Sequence, residues 1–253
     1  MEAKLPIMNI RGLINKGTLK KQPLNKEPNP SYRVRYDLNQ FQKYEYVLNR
    51  HNKSFAEFEK ILEFGCGFGR LIKYLFDINP DTSVFGADVL QGQIDKCKEN
   101  FPKGVFIRNR PEPPIDLQDN QFNLIYSYSV FSHLSESNHL AWLKELARIL
   151  RPGGMMLHSV KSYEFVRRAR IFSPQNLVKY KLKKPYENFE IEHPYHYTID
   201  NPKTPEYGLT IISKKYILDN WEKTTNLEIL EYDEGCIESH PEGCHDLVLL
   251  YKC

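Results

Sequence analysis

Three histidines are placed to take a proton near neutral pH: His133 in Ser129-Val-Phe-Ser-His133, and His193 and His196 in His193-Pro-Tyr-His-Tyr197. Imidazole has its ordinary pKa closest to neutrality, so a hydroxyl that loses its proton as a new bond forms is best served by one of them. Tyr128, Tyr195 and Tyr197 stand close by and offer aromatic faces that can enclose an acceptor or meet a cation. Each candidate has a plainer reading too: His133 as the cap of a following helix, and the 193–197 cluster as a packed surface loop. A further group, Cys236, Glu238, His240, Glu242, Cys244 and His245, has ligand chemistry, but its spacing matches no familiar zinc pattern and no metal is expected. The segment Ile61-Leu-Glu-Phe-Gly-Cys-Gly-Phe-Gly-Arg70 has a different character. A glycine-rich turn between strand and helix brings backbone N–H groups close to a bound ligand, because no side chain intervenes. A dinucleotide fingerprint reads G-x-G-x-x-G, whereas Arg70 stands here where its third glycine belongs, which disfavours NAD.

These groups need elements to hold them. Leu38, Phe41, Tyr44, Val47 and Leu48 recur at helical spacing, with Asp37 as the expected N-cap. Lys60–Phe64 reads as a buried strand, the glycine turn follows, and Arg70–Phe76 reads as a helix. Ser83–Asp88 is a second strand ending in an acid, with a helix expected over about Gln91–Asn100; Val105–Arg108 and Phe122–Ser127 are further strands. His139–Leu150 is amphipathic, Arg151-Pro-Gly-Gly154 should stop it, and Met155–Val160 is a fifth strand. Strands alternating with helices predict a parallel, doubly wound sheet. After Val160 the alternation lapses. Residues 161–207 are expected to form an inserted cap or lid over the substrate, and residues 208–253 to complete the core sheet. Ser213 should cap a helix through Trp221, and Leu227–Tyr232 and Asp246–Tyr251 should be antiparallel strands, since no helix separates them. Residues 1–36 read as a surface arm, and 37–160 as the cofactor-binding core.

With 253 residues, 41% hydrophobic and 26% charged, the chain can bury a sizeable core. No apolar run approaches a membrane span, and Met1-Glu-Ala-Lys-Leu-Pro lacks the apolar stretch of a secretory leader, so a cytoplasmic location is expected. Five cysteines without a CxxC pair read as reduced thiols. A net charge of +3 gives no case by itself for nucleic acid, although basic residues gather over Lys4–Arg35 and Arg167–Lys184.

Glu63-x-Gly65-x-Gly67-x-Gly69 resembles motif I of the class I S-adenosylmethionine-dependent methyltransferases, and later motifs follow in the family's order from Ile61 to Val160. The resemblance implies S-adenosylmethionine as cofactor, held by Glu63, Gly65, Cys66, Gly67, Gly69 and Arg70. It further implies that Asp88 binds the ribose hydroxyls, Val89 touches adenine, Asn109 lies near the adenine amino group, and Ser127 and Tyr128 flank the methionine half. Phe122-Asn-Leu-Ile-Tyr is similar to the family's F-D-x-(I/V) strand with Asn123 in place of the acid, and Leu146-Ala-Arg-Ile-Leu-Arg-Pro-Gly-Gly154 to its L-x-R-(V/I)-L-(K/R)-P-G-G signature. The implied fold is a Rossmann-like seven-stranded sheet of order 3-2-1-4-5-7-6 with strand seven antiparallel. His245-Asp246 resembles the polar pair that opens the last strand in sugar- and glycan-associated members, which makes His245 a substrate contact.

The expected activity is methyl transfer from S-adenosylmethionine, leaving S-adenosylhomocysteine, to the oxygen of a small molecule or glycan. His133, His193 and His196 are the candidate bases, and Tyr128, Tyr195, Tyr197 and His245 the acceptor contacts. The alternatives are an RNA or protein methyltransferase using the basic segments, and a non-catalytic cofactor-binding scaffold. Intact Gly65, Gly67, Gly69 and Asp88 argue for retained cofactor binding in either case.

Overall fold

The computed structural model describes residues 30–78, 81–165, 194–199, 207–234 and 245–253, and for residues 30–36 the backbone alone. His193, most of the expected lid and both basic stretches, apart from that short backbone piece, lie outside the described residues, as does the 235–244 loop.

A seven-stranded sheet carries the molecule. Its strands are β1 (Lys60–Phe64), β2 (Ser83–Asp88), β3 (Val105–Arg108), β4 (Phe122–Ser127), β5 (Leu150–Val160), β8 (Glu228–Asp233) and β9 (Asp246–Tyr251), in the order β3-β2-β1-β4-β5-β9-β8. The first five are mutually parallel; β9 runs antiparallel to β5, from Met155 opposite Tyr251 to Val160 opposite Asp246, and β8 pairs antiparallel with β9. Counted as core strands six and seven, β8 and β9 give the expected order, with the seventh antiparallel.

The central strands are apolar on both faces because helices cover both. Ile61, Leu124, Tyr126 and Leu157 pack with α1 (Pro30–Arg50) and α3 (Gln91–Asn100), while Leu62, Ile125 and Met156 pack with α4 (Glu136–Ile149) and α5 (Lys214–Thr225). Ser135 and Ser213 start α4 and α5: each hydroxyl accepts the N–H three residues on, from Asn138 and Tyr216. A short helix α2 (Leu75–Ile78) follows a 3-10 turn at Ile72–Tyr74.

Several expectations are corrected. Asp37 is not an N-cap, because α1 begins at Pro30 and runs unbroken across the expected arm boundary at residue 36; Asp37 is buried within it and pairs with Arg70 and Lys73. The segment after the glycine turn does not form one helix over Arg70–Phe76 but a 3-10 turn and then α2. α4 starts three residues earlier than its apolar stripe, since Ser135 supplies the cap. Arg151-Pro-Gly-Gly154 belongs to β5: Gly153 at φ +75 donates its N–H to the Lys252 carbonyl, and the Lys252 N–H returns to Gly154. The helix nevertheless ends at Ile149, just before this segment. Within the expected lid, β6 (Tyr195–Ile199) pairs antiparallel with β7 (Gly208–Ile212) as a separate two-stranded ribbon. Of the 208–253 segment, β7 therefore stays outside the core sheet and β8 and β9 complete it.

Beneath the sheet, His139 and His158 are fully buried beside Phe131 and Trp221, with ring centroids 4.7 Å from Phe131 in both cases. Burial pulls each imidazole down to about 3 from its ordinary 6.5. The unfolded chain therefore binds these protons first. Their contribution to stability is complete above about pH 6.5 and is withdrawn as pH falls from there toward 3, at about 1.4 kcal/mol per pH unit for each histidine. Urea melts at pH 7.5 and pH 5 should show a lower midpoint at pH 5, and the gap should shrink in His139→Phe. Coincident wild-type midpoints would contradict the neutral, buried assignment.

Candidate active site

At the carboxyl ends of β1, β2 and β4 lies a cavity of about 520 Å3, within the roughly 300–1,000 Å3 range of small-ligand sites. Its position follows from topology: the crossover from β1 to β2 and that to β4 leave in opposite directions, opening a crevice between them.

The glycine turn forms one wall. Gly65 has φ +78, and a Cβ built there would stand 2.2 Å from Val130 Cγ2, so both backbone conformation and space require glycine. The Gly67 N–H donates to Asp88 Oδ2 at 2.9 Å, and the Leu90 N–H donates to Oδ1 at 2.9 Å. Two backbone amides thereby aim the acid into the cavity. Gln93 lies against the same carboxylate, and with its amide turned so that nitrogen faces the acid it reaches both oxygens at 3.2 Å. Behind the turn, the Cys97 thiol donates to the Gly67 carbonyl at 3.2 Å and also contacts Cys66, so the two sulfurs hold that carbonyl away from the ligand side.

Of the expected cofactor residues, Gly65, Gly67, Arg70, Asp88, Val89 and Asn109 line the cavity. Asn109 is 7% exposed; its amide donates to the Arg110 carbonyl at 2.7 Å while Oδ1 has no hydrogen-bond partner. A buried, unanswered acceptor in a cavity wall is costly without a ligand donor. Glu63, Cys66, Gly69 and Ser127 are not in the wall. Glu63 is buried behind the turn, where it accepts the Tyr126 hydroxyl at 3.0 Å, and burial pushes its carboxyl up to about 8. Gly69 donates to the Cys66 carbonyl, and Ser127 faces the core with its hydroxyl 2.8 Å from His158 Nδ1.

Of the two expected bases among the described residues, His133 lines the cavity and His196 does not. Its Nδ1 lies 2.6 Å from the Gly208 carbonyl, which can only accept, so Nδ1 carries the proton and Nε2 presents a lone pair. Burial, then the Lys161 charge, pull the imidazole down to about 4 against the Gly208 hydrogen bond. Tyr207 stacks on it, centroids 4.5 Å apart and planes within 7°. Ser129, absent from the sequence reading, also lines the cavity; its Oγ is 3.4 Å from His133 Nε2, and its φ of +61 is unusual for a residue with a side chain. Its N–H donates to Ser159 Oγ, which in turn lies 3.2 Å from His245 Nδ1. Only the positive φ, invisible in sequence, marks Ser129.

The other acceptor candidates divide. Tyr128 lines the cavity, with the Arg70 guanidinium 5.9 Å from its centroid on one side and His245 stacked at 5.1 Å. His245 is 2% exposed, outside the wall, and its carbonyl accepts from Lys43 Nζ at 2.6 Å. Tyr195 donates its hydroxyl to the Leu134 carbonyl and packs on Tyr216, while His196 meets Thr198 on the same ribbon and Tyr197 pairs opposite Thr210. None of those three lines the cavity.

Residues 61–154 match the methyltransferase domain family. Cyclopropane-fatty-acyl-phospholipid synthase of Escherichia coli is 31% identical over 104 residues, 41% of this chain and 26% of the synthase. Malonyl-(acyl-carrier protein) O-methyltransferase of a Paenibacillus species is 26% identical over 117 residues, 44% of this chain and 42% of that protein. The chain thus spans less than half the length of these relatives. Burkholderia thailandensis 1,6-didemethyltoxoflavin-N1-methyltransferase, solved with 1,6-didemethyltoxoflavin and S-adenosylhomocysteine, superposes with TM-score 0.56 at 12% identity, over 92% of this chain and 93% of that one. The sheet order and its single reversed core strand define the Rossmann-like methyltransferase fold. Residues 61–154 thus carry a methyltransferase domain, and its motifs and fold are those of the class I S-adenosylmethionine-dependent methyltransferases, whose cofactor is S-adenosylmethionine.

Proposed function

We propose that the chain transfers the methyl group of S-adenosylmethionine to an oxygen of a compact small molecule or sugar, with His133 as base. One observation carries this reading: a single cavity joins Asp88 and Asn109 to His133. The cofactor supplies a methyl group activated on a sulfonium. Asp88 keeps its two backbone bonds and exchanges its Gln93 contact for the ribose hydroxyls, and Asn109 lines the adenine end. Val89 covers the adenine ring, and the bare backbone at Gly65 and Gly67 lets the methionine half lie close. The protein's work at the reacting end is alignment, exclusion of water and receipt of one proton at His133 Nε2. Because that imidazole is held far below 6.5, it is in its basic form throughout the neutral range.

The test is calorimetry with S-adenosylhomocysteine. Asp88→Ala removes charge-assisted hydrogen bonds and should weaken binding by about 10- to 100-fold. Asp88→Asn should keep part of the affinity. A wild-type protein that binds neither S-adenosylmethionine nor its product, or an Asp88→Ala variant within twofold of wild type, would end the assignment.

A further inference from the structure

Arg70 follows the glycine turn directly and supplies a permanent cation to the cavity wall. Its Nη1 lies 3.4 Å from Asp37 Oδ1, and its guanidinium carbon stands 5.9 Å from the Tyr128 ring centroid. Acid and ring therefore bracket a planar group whose N–H donors form a fixed fork. Asp37 is itself buried, and Lys73 Nζ approaches its other oxygen at 3.9 Å, so the carboxylate is held at both ends. The helix that carries it is clamped as well. Phe41, one turn further along α1, packs on Tyr74 with ring centroids 5.1 Å apart, and Tyr44 donates its hydroxyl to the Ser127 carbonyl at 2.7 Å. α1 is thus tied both to the segment that bears Arg70 and to the end of β4, one residue before Tyr128.

We infer that Asp37 is a positioning residue for the cofactor: it braces the Arg70 guanidinium beside Tyr128 so that the fork meets the carboxylate of the methionine half. This rests on the cofactor part of the reading above, in which the ribose lies on Asp88 and the methionine half runs along the bare backbone of Gly65 and Gly67. Arg70 ends that same turn, and a guanidinium is the side chain best shaped to grip a carboxylate with two parallel hydrogen bonds. The brace matters because Arg70 is otherwise a long side chain, 40% exposed, that must give up rotamer freedom to hold a ligand. An arginine already held in place gives up less on binding, and the difference appears as affinity. Asp37 needs no contact with the cofactor to act in this way.

Titration calorimetry on the whole chain tests this with two ligands, S-adenosylhomocysteine and S-adenosyl-3-thiopropylamine, which differ only in the carboxylate. The wild type should prefer the first by about tenfold or more, and Arg70→Ala should abolish that preference. Asp37→Asn should shrink the preference by about threefold or more while leaving the decarboxylated ligand within about twofold of wild type. In the Arg70→Ala background, Asp37→Asn should change neither affinity further, since the brace then has nothing to hold. A merely structural Asp37 would weaken both ligands alike. Asp37→Ser is read in the same way, so that either folded variant decides. Equal losses for the two ligands, or a preference untouched by Asp37→Asn, overturns the inference and leaves the cofactor assignment standing. If S-adenosylhomocysteine does not bind the wild type, the cofactor assignment falls and the inference falls with it.

Discussion

Gly65→Ala is expected to lower stability by roughly 2–5 kcal/mol and to remove measurable cofactor binding. Two effects add. Moving an L-residue to φ +78 costs about 1–2 kcal/mol, and a methyl group 2.2 Å from Val130 Cγ2 overpacks the turn at a further 1–3 kcal/mol. At this chain length that corresponds to a melting temperature lower by on the order of 10 °C. Any backbone shift that relieves the strain also moves the Gly67 N–H that orients Asp88. The double variant Gly65→Ala/Val130→Ala separates the terms: it should recover the steric part but not the conformational part. Thermal melts and calorimetry of both variants read this out, and a Gly65→Ala protein with wild-type melting and affinity would show that the turn tolerates a side chain.

The second large effect is at His133. Once an acceptor is in hand, His133→Ala should lower kcat by about 10²- to 10⁴-fold, the range of a positioned general base, with S-adenosylhomocysteine affinity nearly unchanged. The pH profile carries a sharper signature. The base works when neutral and its pKa is depressed to about 4, so kcat/KM should stay flat from neutral pH down to about 5 and fall only below that. An ordinary histidine would lose rate from about 6.5. Lys161→Met removes one of the depressing influences, and the acid limb should move upward. A rate independent of His133, or an acid limb that ignores Lys161, would remove the imidazole from the reaction.

Most of the sheet was legible because its strands are short apolar runs closed by Gly, Pro and Asp, and because buried parallel strands leave little room for other patterns. Ser83–Asp88, Gln91–Asn100 and Asp246–Tyr251 have the bounds their residue patterns imply. What failed were ends fixed by single contacts. The α4 start depends on one Ser135 hydroxyl, and the extension of β5 through Pro152 depends on Gly153 and Gly154 pairing with Lys252. Within the site, Gly65, Gly67, Arg70, Asp88, Val89, Asn109, Tyr128 and His133 meet in one wall. Ser127 turns to the other face because a strand alternates, and one residue further on Tyr128 faces the cavity. Tyr195 and His196 were picked by type, but the β6–β7 ribbon directs them to Leu134 and Thr198. Tyr207 and Ser129 carried no sequence signal: one becomes a wall through stacking, the other through a left-handed turn.

The pairing of β5 with β9 also has a consequence in time. Ser159 and His245 are 86 residues apart, so a ribosome adding about 5–20 residues per second presents an uncovered β5 edge for on the order of 10 s before its partner emerges. During that interval the glycine turn and the acid of β2 have already been made, while the unpaired edge of a largely apolar strand waits for a mate. The nascent chain is therefore most vulnerable to mispairing with its neighbours just before β9 emerges, and that antiparallel strand is the stitch that ends the exposure.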